Sequence, residues 1–383
     1  MSFTLSIDAD RWRAHQSSVI AAVSATGAGE IVPVIKGNGY GLGQRTLVDE
    51  VARLDLGTVA VGTVYELGEM LDSYSGEIVV LQPFEVRDVS AAQAWHFLAD
   101  RGHRVIRTIS STEALLALAE GPGPVRVILE GRTSMQRFGF TPDELLAALA
   151  DSRVRAALLE GRILLRGLAL HLPIAQPADD ISPRGVESGT ARVREVLRWA
   201  GSWAAELEHL GGPEAATLWV SHLDDAELGS VVRACTTLTV RPRIGTRLWL
   251  DRSALKATGT VLAVHPLPNG THVGYRQRSG PRDGTLVVVS GGTSHGIGLT
   301  APSPASSVRQ RVVTAGTGAL DAAGRAMSPF TCDGKQRWFA EAPHAQVSMI
   351  WLPRGAVIPT VGDQLRADVR FTTSHFDAIT GLN

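Results

Sequence analysis

Lys36 closes the apolar run Ile31-Val32-Pro33-Val34-Ile35 and is followed by Gly37-Asn38-Gly39-Tyr40-Gly41-Leu42-Gly43. An amine at the end of such a run is desolvated, which lowers its pKa and frees the neutral form to make a Schiff base with a carbonyl. Other polar groups end apolar runs in the same way: Glu130 with Arg137 just beyond, His171, Ser221 followed by His222, and Arg243 followed by Ile244-Gly245-Thr246. One amine, several glycine-freed amides and two arginines would suit a phosphorylated carbonyl compound, and pyridoxal phosphate (PLP) is one. Its phosphate needs oriented N–H donors, which Gly245 and Thr246 can supply with the Ser221 hydroxyl. Its ring oxygen and nitrogen need cationic or donor partners, a need the two arginines fit.

These groups converge only if the runs they end are parallel strands of one sheet. From residue 10 to about 245, short β-branched runs alternate with longer stretches of helical period, the signature of repeated βα units. Eight strands are predicted: Ile31–Lys36, Thr58–Gly62, Ile78–Gln82, Arg104–Arg107, Val125–Glu130, Leu164–His171, Thr217–Ser221 and Thr239–Ile244. Helices are predicted between them at Arg45–Leu54, Ser90–Ala99, Ser111–Ala119, Asp143–Ala150 and Gly185–Glu208, several opened by a Ser, Thr or Asp cap. The fold class expected is α/β, a (β/α)8 TIM-type barrel whose working residues lie at the C-terminal strand ends.

After about residue 250 the pattern changes to short β-rich runs: Gly259–Val264, Leu286–Ser290, Arg311–Thr314, Arg337–Ala340, Gln346–Leu352 and Leu365–Phe371. Gly, Pro and Asn-Gly turns break them. Two domains are therefore expected, a barrel over 1–250 and a mostly β domain over 251–383, with the first ~10 residues free to pack on the latter. The 321–336 stretch, rich in Gly, Ala and Ser, reads as a loop.

Composition narrows the partners. The 37 Lys+Arg balance 38 Asp+Glu to a net charge of -1, which leaves no basic field for nucleic acid or an anionic membrane surface. No uninterrupted apolar stretch is long enough to span a bilayer and no basic, apolar leader opens the sequence, so a cytoplasmic protein is expected. Cys235 and Cys332 are far apart and read as reduced thiols. His295, His344 and Cys332 lack metal-ligand spacing, so no metal is expected.

Val34-Ile35-Lys36-Gly37-Asn38-Gly39-Tyr40-Gly41-Leu42-Gly43 resembles the lysine signature of the alanine racemase family, two-domain barrel enzymes that use PLP. Further segments resemble that family in the same order. Thr133-Ser134-Met135-Gln136-Arg137-Phe138-Gly139 is similar to its Thr-Gly-Met-x-Arg-x-Gly segment, and His171 to its strand-six histidine. Arg243-Ile244-Gly245-Thr246-Arg247-Leu248-Trp249 is similar to its Arg-Pro-Gly-Ile-x-Leu-Tyr segment. In the second domain, His272-Val273-Gly274-Tyr275 resembles its catalytic-tyrosine segment and Gln346-Val347-Ser348-Met349 its methionine segment.

The resemblance implies a racemase in which Lys36 holds PLP and serves as one base, and Tyr275, donated across a homodimer interface, serves as the other. It implies that Tyr40, Ser221, Gly245 and Thr246 hold the phosphate. Arg137 would contact the ring hydroxyl and lie near the substrate, and Arg243 would face the pyridine nitrogen. His171 would stack on the ring and bond Arg243, and the Met349 amide would face the substrate carboxylate. Two bases are what inversion at Cα requires, because the proton leaves one face of a planar carbanion and arrives at the other. The unperturbed values of lysine and tyrosine, about 10.4 and about 10, must both be lowered for this.

The sequence departs from the family pattern at four points, two of them near the substrate entrance. Glu130 stands where many of the family carry a carbamylated lysine, and is read as pairing directly with Arg137. Ser290-Gly291-Gly292-Thr293-Ser294-His295-Gly296-Ile297-Gly298 replaces the family's Gly-Tyr-Ala-Asp-Gly segment, with His295 a candidate donor at the entrance. Ile350 replaces the aspartate after the methionine, and no tyrosine follows Tyr275. Three other readings share the barrel: a noncatalytic PLP-binding protein, which would not need Tyr275; a PLP-dependent lyase or decarboxylase, which would favour an acid over Arg243 at the ring nitrogen; and a sugar-phosphate enzyme, which would form its Schiff base without PLP.

Overall fold

A computed structural model of the chain describes residues 2–174, 189–210, 212–279, 283–299 and 326–382. It contains two compact units, one of 15–39 and 43–249 and one of 1–14, 40–42 and 250–383.

The opening strand β1 (Phe3–Ile7) and helix α1 (Ala9–Ser24) precede eight parallel strands. These are β2 (Val32–Pro33), β3 (Thr58–Val61), β4 (Glu77–Val80), β5 (Val105–Ile109), β6 (Val125–Gly131), β7 (Ile163–Leu170), β8 (Thr217–Val220) and β9 (Thr239–Ile244). They pair in the order β2-β9-β8-β7-β6-β5-β4-β3. Closure comes from a parallel bridge between Val34 and Ala60, where the Ile35 amide donates to Ala60 O at 2.7 Å. All eight predicted strands are present as a (β/α)8 barrel. The first is shorter than expected because Pro33 has no N–H to give the ladder.

Inside the barrel an apolar layer is built from Val32, Val34, Ala60, Val79, Ile106, Ile128, Ala169 and Trp219. The Trp219 indole N–H is satisfied by Arg166 O at 2.7 Å. At the N-terminal end of the strands, Glu77 receives Arg126 and Arg166, each at 2.8 Å. Around the sheet run α2 (Gln44–Arg53), α3 (Leu67–Ser73), α4 (Val89–Phe97), α5 (Thr112–Ala119), α6 (Pro142–Ala150), α7 (Ser152–Leu159), α8 (Ala191–Leu210), α9 (Asp225–Ala234) and the single turn α10 (Thr246–Trp249). Asp88 caps α4, Ser111 caps α5, and Thr141 with Glu144 forms a capping box on α6. The predicted Gly185–Glu208 helix appears as α8, its residues 185–188 lying outside the described residues.

The other unit is antiparallel. Its strands are β10 (Leu255–Leu267), β11 (His272–Val273), β12 (Arg278–Ser279), β13 (Gly284–Ser290), β14 (Met327–Cys332), β15 (Lys335–Phe339), β16 (Val347–Pro353), β17 (Gln364–Ala367) and β18 (Ala378–Thr380). The order β13-β16-β15-β14-β17-β10, with β10 pairing β13 again, closes a second barrel. A bulge between Val261 and Ala263 bends β10 so that it reaches both neighbours. At Gly259 of the same strand a Cβ would lie 2.3 Å from Ser290 O. β1 is added to β10 antiparallel and to β18 parallel.

The 321–336 stretch corrects the sequence reading. Its described part is not a loop but β14, a turn at Asp333-Gly334, and the start of β15. Ser328, Phe330 and Cys332 are buried on alternate positions, and both turn residues have positive φ, as an Asp-Gly hairpin turn requires. Small-residue composition masked a period-two pattern. The Arg311–Thr314 strand expectation lies outside the described residues.

Candidate active site

At the C-terminal ends of the barrel strands lies a cavity of about 220 Å³ lined by Lys36, Gly62, Leu81, Gln82, Glu130, Arg137, Phe138, His171 and Arg243. It gathers side chains that are up to 207 positions apart because parallel strands deliver their last residues to one face.

Lys36 leaves the barrel two residues after the closing bridge at Val34. Burial first, then the Arg137 cation, hold its amine below the ordinary lysine range, with Arg243 adding to this and Glu66 opposing it. The chain then turns through left-handed residues, Gly37 at φ 59°, Gly39 at 60° and Tyr40 at 57°. At Gly39 a Cβ would lie 2.7 Å from the Gln44 amide, which accounts for glycine there. Glu66 straps this corner, accepting the Gly62 amide at 2.8 Å and the Gly37 amide at 3.4 Å. Tyr40 belongs to the other unit and is buried, which pushes its phenol above the ordinary range.

Glu130 ends β6 almost fully buried. Burial raises its carboxyl, and the Arg243 and Arg137 cations pull it back. The expected direct pair with Arg137 is replaced by coupling through space, Arg243 having the larger effect. Arg137 instead lies over the Phe138 ring at 5.1 Å, on a tight loop with Gln136 at φ 54°. That loop is fastened at its root. The Thr133 hydroxyl donates to His171 O at 2.6 Å, and buried Glu195 of α8 takes both the amide and hydroxyl of Ser134, at 2.5 and 2.8 Å.

The bond from His171 to Arg243 that the resemblance implies is not formed. The His171 Nδ1 shares a hydrogen bond with the Ser221 hydroxyl at 3.1 Å. Its ring meets that of His222 edge-on at 4.9 Å. Burial, then the Arg243 and Arg137 cations, push the His171 ring down to about 3, so it is neutral near pH 7. The 222 position has φ 61°, and its Nδ1 donates to Leu172 O at 2.6 Å. Behind it Asp224 caps α9 in a box with Glu227, so those acids serve the helix.

Arg243 is buried on β9. One Nη donates to Leu170 O at 3.0 Å, while its Nε is buried and has no hydrogen-bond partner. An orphaned donor beside a depressed amine, with two arginines against one carboxylate, is a site arranged for an anionic ligand with an acceptor atom. PLP has both, and the residues present fit it. Gly245 opens α10, accepting the Leu248 and Trp249 amides at 2.9 and 3.1 Å, and Thr246 follows. The Trp249 indole N–H returns to Val34 O at 2.9 Å, locking this corner to the Lys36 strand.

Tyr275 and Met349 lie in the antiparallel unit. Tyr275 tips the β11–β12 hairpin with its side chain exposed, and Met349 packs against the small cluster of Leu267, Val273 and Leu286 beneath that hairpin. His295 is buried, not an entrance donor. Its Nδ1 accepts the Gly292 amide and its Nε2 meets Asp377, both at 3.1 Å. Ile350 is fully buried in the β-barrel core. Sequence reasoning missed Glu66, Glu195 and Glu341, which act from helices and turns where no spacing marks them.

Fold and cavity together describe a (β/α)8 barrel with a lysine, two arginines and a glutamate gathered at its C-terminal strand ends. A family profile for the alanine racemase N-terminal domain matches residues 7–234. The chain therefore belongs to the alanine racemase family. It is 27% identical over 252 residues to alanine racemase of Ralstonia nicotianae, a match covering 64% of this chain and 60% of that one. The fold is shared with alanine racemase from Bartonella henselae with covalently bound pyridoxal phosphate, at TM-score 0.63 and 17% identity, covering 96% of this chain and 91% of the other. It is shared equally with histidine racemase from Leuconostoc mesenteroides subsp. sake, at TM-score 0.61 and 18% identity, covering 95% and 87%. Among the described residues no helix is long and apolar enough to cross a membrane.

Proposed function

We propose that this chain is a PLP-dependent amino-acid racemase of the cytoplasm, working as a homodimer with Lys36 and Tyr275 of the partner subunit as its two bases. The observation that carries the reading is the pairing, in one cavity, of a depressed Lys36 amine with an Arg243 whose buried Nε lacks a partner. Bound PLP supplies the electron sink that accepts the pair left when the Cα–H bond of an amino acid breaks. Lys36 would hold the aldehyde carbon and move the proton on one face. Tyr275 would do so on the other.

Arg243 would meet the ring nitrogen through its free Nε. A guanidinium does not release its proton at neutral pH, so Arg243 would leave the ring nitrogen unprotonated, which would favour return of the proton to Cα. A lyase would want an acid there, which favours the racemase reading over that alternative. Ser221, Gly245, Thr246 and Tyr40 would hold the phosphate, Arg137 the ring hydroxyl and the substrate, and the Met349 amide the substrate carboxylate. Neutral His171, fixed by Ser221, would lie against the ring without competing for charge.

The side chain of the substrate is open to assignment, since alanine and histidine racemases share this fold. The test is Cα deuteration followed by proton NMR in heavy water, with PLP-loaded protein and a panel of D- and L-amino acids. Loss of the Cα signal with appearance of the enantiomer is expected for one substrate. No exchange with any of them overturns the reading.

A further inference from the structure

Tyr275 stands on weak secondary structure. Strands β11 and β12 pair through His272 with Ser279 and Val273 with Arg278 alone, which is too little to hold a hairpin in water. The turn between them runs from Gly274 at φ 70° to Gln277 at φ 49° and is closed by the Gln277 amide on Gly274 O at 3.3 Å. What fixes it comes from the turn joining β15 to β16.

Glu341 in that turn is 4% exposed. Its Oε1 accepts the Tyr275 amide at 2.8 Å and its Oε2 the Arg276 amide at 3.1 Å. The His344 Nε2 donates to the same Oε1 at 2.9 Å, and the His344 ring lies 4.3 Å from the Tyr275 ring at a tilt of 35°. His344 is itself fixed, its amide donating to Val347 O at 2.9 Å and its carbonyl accepting the Thr293 amide at 2.8 Å. Burial alone would raise the Glu341 carboxyl, but the hydrogen bonds from His344, Arg276 and Tyr275 carry it below its ordinary value. Gly274 completes the fit, because a Cβ there would lie 2.0 Å from the Glu341 carboxylate.

The carboxylate thus grips the backbone on both sides of Tyr275 while the imidazole it holds lies against the phenol ring. The side chain of Tyr275 stays 84% exposed, so its hydroxyl is presented rather than buried. A carboxylate that only satisfied hairpin amides would have no use for a histidine aimed at the ring. We propose that Glu341 and His344 are a positioning pair for Tyr275, the first setting its backbone and the second its ring. This rests on Tyr275 acting as a base.

The test uses PLP-loaded full-length Glu341→Gln, His344→Ala and His344→Phe, with Tyr275→Phe as reference. Cα exchange is followed from each enantiomer separately. Glu341→Gln and His344→Ala should slow exchange from the enantiomer that Tyr275→Phe slows, by tenfold or more. The other enantiomer should stay within about twofold and exchange with retention, because Lys36 still serves its own face. His344→Phe, which keeps a ring against the phenol, should recover part of the loss.

A second measurement needs no substrate. Amide hydrogen exchange at 275 and 276 should quicken about tenfold in Glu341→Gln. In His344→Ala the Tyr275 ring carbon resonance should move to the averaged position of a free tyrosine. Variants that behave as wild type toward both enantiomers, while Tyr275→Phe slows one, overturn the positioning pair alone. Should Glu341→Gln fail to fold, the His344 variants decide the matter. A Tyr275→Phe protein that exchanges both enantiomers at wild-type rates overturns the base assignment itself, and the pair with it.

Discussion

The Ser221 hydroxyl lies 3.1 Å from Nδ1 of His171 and accepts the Leu172 amide at 3.4 Å, so one small side chain sets both the ring and the backbone at the end of β7. Ser221→Ala should weaken PLP binding by about 1 kcal/mol, roughly fivefold. Absorbance titration of the cofactor-free protein with PLP measures it. An unchanged affinity would remove Ser221 from the phosphate site.

His171 also has a pH consequence. Its native value of about 3 lies below the ordinary histidine value near about 6.5, so under acid the unfolded chain takes up a proton that the native state refuses. Stability is therefore full above that ordinary value and falls as pH drops through it toward 3. Urea midpoints of cofactor-free wild type and His171→Gln across this window should diverge in slope, the variant being flatter.

Glu130 is the one carboxylate among the charged groups lining the cavity. Glu130→Gln removes the anion that offsets Arg243 and Arg137, so turnover should fall by about tenfold or more and the spectrum of bound PLP should shift. Wild-type activity should be indifferent to stripping carbon dioxide from the buffer. A variant with unchanged spectrum and rate would leave Glu130 without a role.

Glu195 holds the Arg137 loop by two bonds to Ser134. Loss of the carboxylate in Glu195→Ala should raise KM several-fold through a looser Arg137, with the fold retained by circular dichroism. Glu195→Gln, which keeps one acceptor, should fall between.

On the far face of the barrel, Glu77→Ala leaves Arg126 and Arg166 without their shared partner. A loss of about 2 kcal/mol in urea unfolding is expected, less than for a fully buried pair because the site is partly open to water. The PLP spectrum should not change, which separates the stability end of the barrel from its chemical end.

The parts of this molecule with a strong period were legible beforehand. β9 was readable residue for residue, and the side chains that end β6, β7 and β9 were placed in the cavity by knowing only that parallel strands share a C-terminal face. α7 and α3, of eight and seven residues, were not among the predicted helices. β14 was hidden because Pro329 and the Asp-Gly turn look like loop chemistry when their alternation is ignored. The residues that steady the site were illegible for a different reason. Glu195 reaches Ser134 across 61 positions and Glu341 reaches Tyr275 across 66, and local sequence holds no trace of such contacts.

β1 has a place in time as well as in space. Phe3, Leu5 and Ile7 are buried against β10, a partner that is translated roughly 250 residues later. At a synthesis rate of about 5–20 residues per second, that apolar strand waits on the order of 12–50 s outside the ribosome with nothing to pair with. A nascent chain in that condition is a ready client for holdase chaperones. A fusion tag placed before Phe3 would meet its hazard not in the neighbouring α/β barrel but in the late closure of the antiparallel one.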